Sequence, residues 1–326
     1  IETGGKRRAR INLMTSEHEL TKATVADYFR NLRADATLVY LDAMKKRQLY
    51  LVNTDSYETM KQLYRADSLR LMLGSIMEID AYQSKLEAGI IYNDLLQSMS
   101  EWKNALARIS LMTGSQKTDT LFVPVSHMHD SSREFLIDTL IAAAINNRAD
   151  LVAARLNKEI SEKNLVLAKK ERRMDMDIMV GMTEIYPQGA GTPSNRGIMA
   201  GLDVPLKFSN IYKGDIKIAQ ARIMQAEEFY KHAGLQIKTE IIQAWELYQG
   251  YCRQVENFNQ GLIENAENVR KGKIYSYERG ETSLLEVLNA QRTYNDIQTA
   301  YYEALYNRAA ALVDLEKAAG IWDISF

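Results

Sequence analysis

Ser75-Ile76-Met77-Glu78-Ile79 returns 208 residues later as Ser283-Leu284-Leu285-Glu286-Val287, and the same offset carries Gln83 onto Gln291. Working outward, Ala36 and Tyr40 fall on Ala244 and Tyr248 at that spacing, and Lys6 and Ile11 fall on Lys213 and Ile218 at 207. Further on, Ala105-Leu106 and Gly114 meet Ala311-Leu312 and Gly320 at 206. Each match is weak alone; their constant order marks a tandem duplication. The drift from 208 to 206 predicts a two-residue insertion or deletion between the glutamine and glycine markers.

Each copy reads as a pair of long helices. In the second, Ile237, Ile241, Ala244, Tyr248, Val255, Phe258 and Leu262 approximate a helical period. After an interruption expected at Gly272–Gly280, the period resumes through Leu284, Leu288, Gln291, Tyr294, Tyr301 and Leu305, and Gly320 supplies a left-handed cap. Helices of about 50 residues are each roughly 75 Å long and need packing partners throughout. The first copy repeats this over about 15–114, turning near Gly74.

Proline agrees. Pro124, Pro187, Pro193 and Pro205 are the only four, and residues 1–123 and 206–326 have none. Because proline removes a backbone donor and clashes with the preceding turn, such stretches favour long helices. An all-β sandwich, a doubly wound α/β enzyme and a disordered chain are excluded. With 41 basic and 42 acidic residues and a net charge of -1, the chain is not a dedicated nucleic-acid binder. No apolar run suits a membrane helix, and Ile1–Arg8 has no apolar signal segment. Cys252, the lone cysteine, reads as a small helix residue.

The middle of the chain differs. Phe122-Val123-Pro124-Val125 reads as a linker, Ser131-Ser132-Arg133-Glu134 as a capping box opening a helix, and Asn146-Asn147 as a break before a helix ending near Arg173. The period then becomes two. Met176, Ile178, Val180 and Met182 alternate with Asp177, Met179, Gly181 and Thr183; Ile198, Ala200, Leu202, Val204 and Leu206 alternate with Met199, Gly201, Asp203, Pro205 and Lys207. Residues 187–196 form a loop by composition. This hairpin fits either a pair of membrane-barrel strands, with Tyr186, Phe208 and Tyr212 at the interfaces, or a soluble hairpin with one buried face.

Several segments resemble the TolC-like outer-membrane efflux protein family: Arg279–Arg292, Val204-Pro205-Leu206 before a long helix, Asn147-Arg148-Ala149-Asp150-Leu151 at a helix start, and Ala318-Ala319-Gly320. The duplication fits as well. The resemblance covers essentially the whole chain, most strongly 140–320. It implies a mainly α fold of long antiparallel helical hairpins in tandem, forming an α-barrel tunnel, with a β-hairpin contributing to an outer-membrane barrel. It implies a homotrimer serving tripartite efflux or type I secretion, partnered by a periplasmic adaptor, an inner-membrane pump and outer-membrane lipid. No nucleic acid, cofactor or enzymatic activity is implied. The expected division is 1–114 for the first repeat, 115–132 for the linker and 133–326 for the second, with its hairpin at 176–206 and helix pair at 209–320.

One departure is expected. In the family each repeat supplies two strands, whereas Ile1–Lys6 looks like the end of the first repeat's second strand, as in an N-terminally truncated chain. Three such chains would offer about six full strands, too few for the family's barrel.

The resemblance also nominates sites. Aligned on Gly280, the gate would comprise Tyr277, Thr282, Glu286 and Asn289, with the Glu286 carboxylates forming an acidic ring. Without the resemblance, Glu286 reads as an exposed helix residue pairing with Lys273 or Arg292. Gly74, Ser75, Arg279, Gly280 and Glu281 resemble adaptor-docking tips, and equally read as plain helix breaks. His127-Met128-His129-Asp130 reads as solvated loop rather than metal site. Met174, Met176, Met179, Met182 and Met199 read as apolar strand surface. A soluble coiled-coil scaffold is the alternative from another class.

Overall fold

The computed structural model describes residues 2–114, 123–124, 133–185, 195–205 and 212–323. The helices are α1 (Lys6–Met72), α2 (Glu78–Met112), α3 (Ile137–Asn147) and α4 (Ala149–Glu171). Strands β1 (Asp177–Ile185) and β2 (Asn195–Asp203) follow. The chain continues as α5 (Lys213–Asn257), a kinked segment Phe258–Leu262, α6 (Ile263–Glu278) and α7 (Leu284–Ala319). Two compact units result, one from Ile1–Tyr28 with Asn147–Ile237, the other from Phe29–Asn146 with Lys238–Phe326.

In the first unit, Ala9, Leu13, Ile160 and Ala219 are buried. Ser16 Oγ donates to Glu159 at 3.1 Å and binds α1 to α4, and Lys158 pairs with Glu227 of α5 at 3.8 Å. The hairpin is antiparallel, with Ile178 opposite Leu202, Val180 opposite Ala200 and Met182 opposite Ile198. Since strand side chains alternate, these six share one apolar face. That face is open: Met182 is 81% and Ile198 80% exposed.

The second unit is built on small residues that let helices approach closely. Ala34, Leu41 and Val313 are buried together, as are Ala43, Ala105, Leu106 and Ile109, and Val255, Phe258, Ala304 and Leu305. No described helix is long and apolar enough to cross a membrane.

Four expectations are corrected. Residues 2–5 form no strand: Gly4 and Gly5 both turn at φ 74°, and Thr3 N–H donates to Asp175 at 2.9 Å. Glu134 does not lie in a first helical turn, since α3 starts only at Ile137. Instead Arg133 is held by Asp323 through two 2.8 Å bonds and by Glu316 at 3.0 Å, while its N–H donates to the Tyr248 hydroxyl at 2.8 Å. Gly272 lies inside α6 rather than in an interruption; the irregularity is at Gln260 and Gly261, with Gly261 at φ 98°. Finally, the two-residue offset falls before the turns, because α1 and α6 end, and α2 and α7 begin, at positions already 206 apart.

The linker residues Phe122 and Val125, the segments His127–Asp130, Ser131–Ser132 and 187–194, and Tyr186, Leu206, Lys207 and Phe208 lie outside the described residues.

Candidate functional site

The helix turns after α1 and α6 are chemically matched. At each, a glycine takes positive φ, 69° at Gly74 and 75° at Gly280, a region that costs an L side chain roughly 1–2 kcal/mol. Gly74 N–H donates to Leu71 O at 2.9 Å and Ser75 N–H to Arg70 O at 2.8 Å. Gly280 N–H donates to Tyr277 O at 3.0 Å and Glu281 N–H to Ser276 O at 2.9 Å. Both are Schellman caps, which satisfy carbonyls the helix end would leave open. After the second, Ser283 accepts from Glu286 N–H at 3.4 Å; at the corresponding start of α2, Met77 offers no side-chain cap.

Apolar packing brings the two hairpins together. Met60 and Leu63 of α1, Ala88 and Ile91 of α2, Tyr277 of α6, and Leu284, Val287 and Leu288 of α7 form one buried cluster. Fully burying such side chains stabilises by about 1.5–3 kcal/mol each. Within it lies a polar bond. The Tyr277 hydroxyl donates to Asp67 Oδ1 at 3.0 Å, with Asp67 fully buried and Tyr277 only 7% exposed. The Arg70 guanidinium lies 5.3 Å from the Tyr277 ring and donates to Glu278 O at 2.5 Å. Burial pushes the Asp67 carboxyl above its ordinary range and raises the Tyr277 phenol, the nearby Asp67 adding to that.

Of the nominated gate residues, then, Tyr277 is buried and joins the two hairpins within one chain. Thr282 is half-buried in the turn, and Glu286 and Asn289 are exposed on α7. Glu286 pairs with Lys273 at 2.5 Å, which holds its carboxyl below the usual range. Arg292 turns instead to Glu87, at 2.9 Å. At the tips Gly74, Ser75, Arg279, Gly280 and Glu281 are exposed, and Arg279 stacks 4.2 Å over Tyr275. They are flanked by bare apolar side chains: Met72 is 82%, Leu73 79% and Met77 69% exposed.

Asp67 and Arg70, the partners of Tyr277, were not among the residues nominated from sequence. A signal existed, for Asp67 continues the buried 60, 63, 67 spacing of α1 with an acid where an apolar residue is expected. A buried cation does the same on α6: Arg270 binds Asp55 at 2.9 Å and lies 4.0 Å from the Tyr294 ring. A polar cleft of about 530 Å³ lies between α1, α2 and α7; of its four acids, Glu87 is paired with Arg292 and Glu101 with Lys46, and Asp94 and Asp296 also line it. Among the described residues no group of metal-ligating side chains gathers.

The paired turns, the duplicated helices and the open apolar hairpin coincide with one known pattern. The outer membrane efflux protein family profile matches residues 140–321, more than half of the chain. The chain belongs to that family. It is 20% identical over 321 residues to the cobalt-zinc-cadmium resistance protein CzcC of Cupriavidus metallidurans, spanning 98% of this chain and 75% of that protein. The Campylobacter jejuni CmeC outer membrane channel superposes with a TM-score of 0.82 at 16% identity, over 98% of this chain and 69% of that one. The outer membrane protein VceC of Vibrio cholerae gives 0.76 at 17% identity, over 98% and 77%. The protein is thus an outer-membrane efflux component extending into the periplasm, not an enzyme. A soluble scaffold does not account for this membership.

Proposed function

We propose that this chain is the exit duct of a tripartite efflux assembly. Three copies surround one passage, the hairpin lies in the outer membrane, and the helix turns at 73–77 and 279–283 form the mouth that a periplasmic adaptor and an inner-membrane pump open. The observation that carries this is the Tyr277–Asp67 bond at 3.0 Å. It ties the second helical hairpin to the first at the base of the turns, so breaking it loosens the junction that the apolar cluster otherwise holds. The exposed Met72, Leu73 and Met77 beside Gly74 supply the apolar surface on which an adaptor would dock. Exposed Glu286 and Asn289 border the mouth, with Glu286 tethered to Lys273 when closed. Cargo crosses by diffusion. The kinship with CzcC favours divalent transition-metal cations as that cargo, which is substrate and not a resident group.

The test is conductance in planar bilayers of the whole protein containing this chain. Tyr277→Phe and Asp67→Asn should each raise open-state conductance while cross-linking still returns trimers. Unchanged conductance in both variants would remove the link from the gate; recovery of monomers alone would remove the duct.

A further inference from the structure

Three segments meet where the hairpin joins the helices. The Thr3 hydroxyl donates to the Met174 carbonyl, Lys6 binds Asp175 at 2.7 Å and Glu171 at 3.7 Å, and Lys170 reaches Gly5 O at 3.1 Å. The Arg173 stem covers Gly4 so closely that a Cβ there would fall 2.2 Å from its Cδ. These contacts engage the local carboxylates: Glu171 and Asp175 hold Lys6, and Glu2 holds Arg10 at 2.7 Å. What is left over is cationic. Arg7, Arg8, Lys169, Arg172, Arg173 and Lys213 are all exposed, and among the described residues none of them enters an ion pair. The carboxylates still to be counted at this end are Asp177 and Asp203, opposite each other in the hairpin register, and Asp215 in the first turn of α5. Three negative charges face six positive ones.

Directly beyond this collar stands the apolar ladder of Ile178, Val180, Met182, Ile198 and Leu202, every one more than half exposed. A cationic ring bordering an apolar face matches a lipid boundary, where hydrocarbon gives way to phosphate. Basic clusters beside a membrane segment bind anionic headgroups, and long Arg and Lys side chains reach them while their stems stay apolar. We propose that this collar binds the phosphates of anionic phospholipid in the leaflet next to the helices and so fixes the depth of the hairpin. The proposal rests on the hairpin lying in the membrane, and its test separates the two.

The purified chain is sedimented with vesicles of phosphatidylcholine alone and with vesicles of an equimolar mixture with phosphatidylglycerol. The unaltered chain should bind both, and the anionic vesicles more strongly, by a margin that shrinks as salt rises. Replacing Arg7, Arg8, Lys169 and Arg172 together by Gln should weaken binding to anionic vesicles on the order of 1,000-fold at low salt. Binding to phosphatidylcholine and the thermal unfolding midpoint should not move. Val180→Asp with Met182→Asp should abolish binding to both vesicles. Equal binding of native chain and Gln variant to anionic vesicles, or no anionic preference in the native chain, overturns the collar and leaves the hairpin reading standing. No binding to either vesicle overturns both. Inorganic phosphate that competes beyond a sodium chloride control of equal ionic strength would make the collar a free-anion site and overturn the lipid assignment.

Discussion

The two long helices that open the repeats are built differently. α1 runs unbroken from Lys6 to Met72. Its counterpart covers Lys213 to Glu278 but is interrupted at Phe258–Leu262, where Gln260 and Gly261 leave helical geometry. Before the interruption the copies align at 208, through Ala36 with Ala244 and Tyr40 with Tyr248. After it they align at 206, through Gly74 with Gly280 and through Gly114 with Gly320, both of the latter at φ 67°. The second copy is two residues shorter over this stretch. Two residues are about 200° of helix, enough to turn the face carrying Ala266, Arg270 and Tyr277 away from its partners. The kink at Gln260 and Gly261 resets the helical phase there, and Gly261 accepts the positive φ it requires. A long packed helix tolerates a change of length only where its backbone can unwind locally.

The harshest way to break the comparison is to impose the same deletion on the copy without a kink. Removing Asn53 and Thr54 from α1 would carry Met60, Leu63 and Asp67 off their seam. Because each such core residue is worth about 2–5 kcal/mol, the loss should exceed about 5 kcal/mol and abolish cooperative unfolding of the second unit. Inserting two alanines after Gly261 together with Gly261→Ala should cost far less, since it restores the continuous form. Urea unfolding and hydrogen exchange of α6 would separate the two cases.

A second contrast lies at the far ends of α2 and α7, where Ser110 occupies the place that Glu316 takes in the second copy. Burial pushes the Glu316 carboxyl up to about 7, whereas Arg133 holds Asp323 down at about 2. An acid with a raised folded value contributes its full stability below the unfolded value and loses it as pH rises through the folded one. Asp323 works in the opposite sense, present above its unfolded value and lost as pH falls towards 2. Stability should therefore decline by about 2 kcal/mol between roughly pH 5 and pH 8. Glu316→Gln should flatten that slope. Unfolding midpoints across this range decide it, and an unchanged slope in the variant would exonerate Glu316.

Tyr277 answers to Leu71 in the first copy, which has no hydroxyl. Tyr277→Phe copies that chemistry and leaves buried Asp67 without its donor, at about 1–3 kcal/mol. Pairing it with Asp67→Asn should recover part of the loss, because the charge goes too; a double-mutant cycle in urea would measure the coupling. The smallest effect concerns the caps. Ser283→Ala should cost about 0.5–2 kcal/mol, and Met77→Ser should gain a lesser amount by giving α2 the cap that α7 has. Thermal midpoints moving in opposite directions would show the turns to be interchangeable; a Met77→Ser change with no gain would show that the first turn is held by packing alone.

Much of this was legible from residues alone. The turns at Gly74 and Gly280, the cap at Gly320 and the hairpin near 176–206 each depend on a local rule: positive φ at glycine, or alternation along a strand. Arg133-Glu134 misled because Ser131–Glu134 has the form of a capping box. The Arg133 guanidinium is instead drawn to Glu316 and Asp323, nearly two hundred residues away in sequence. The site was half legible. Family resemblance nominated Tyr277, but its partner Asp67 could be noticed only as an acid at a core-spaced position.

By itself, then, the sequence determined the duplication, the long helices, the glycine turns and the apolar ladder, since propensity, capping and periodicity act over a few neighbouring residues. Tertiary structure alone decided what each buried charge meets: Asp67 the Tyr277 hydroxyl, Arg270 Asp55, and Glu316 Arg133. It also decided where two lost residues were absorbed. Both depend on the rotational phase of helices packed along their length, which accumulates over dozens of residues and is fixed only when the facing helix is in place.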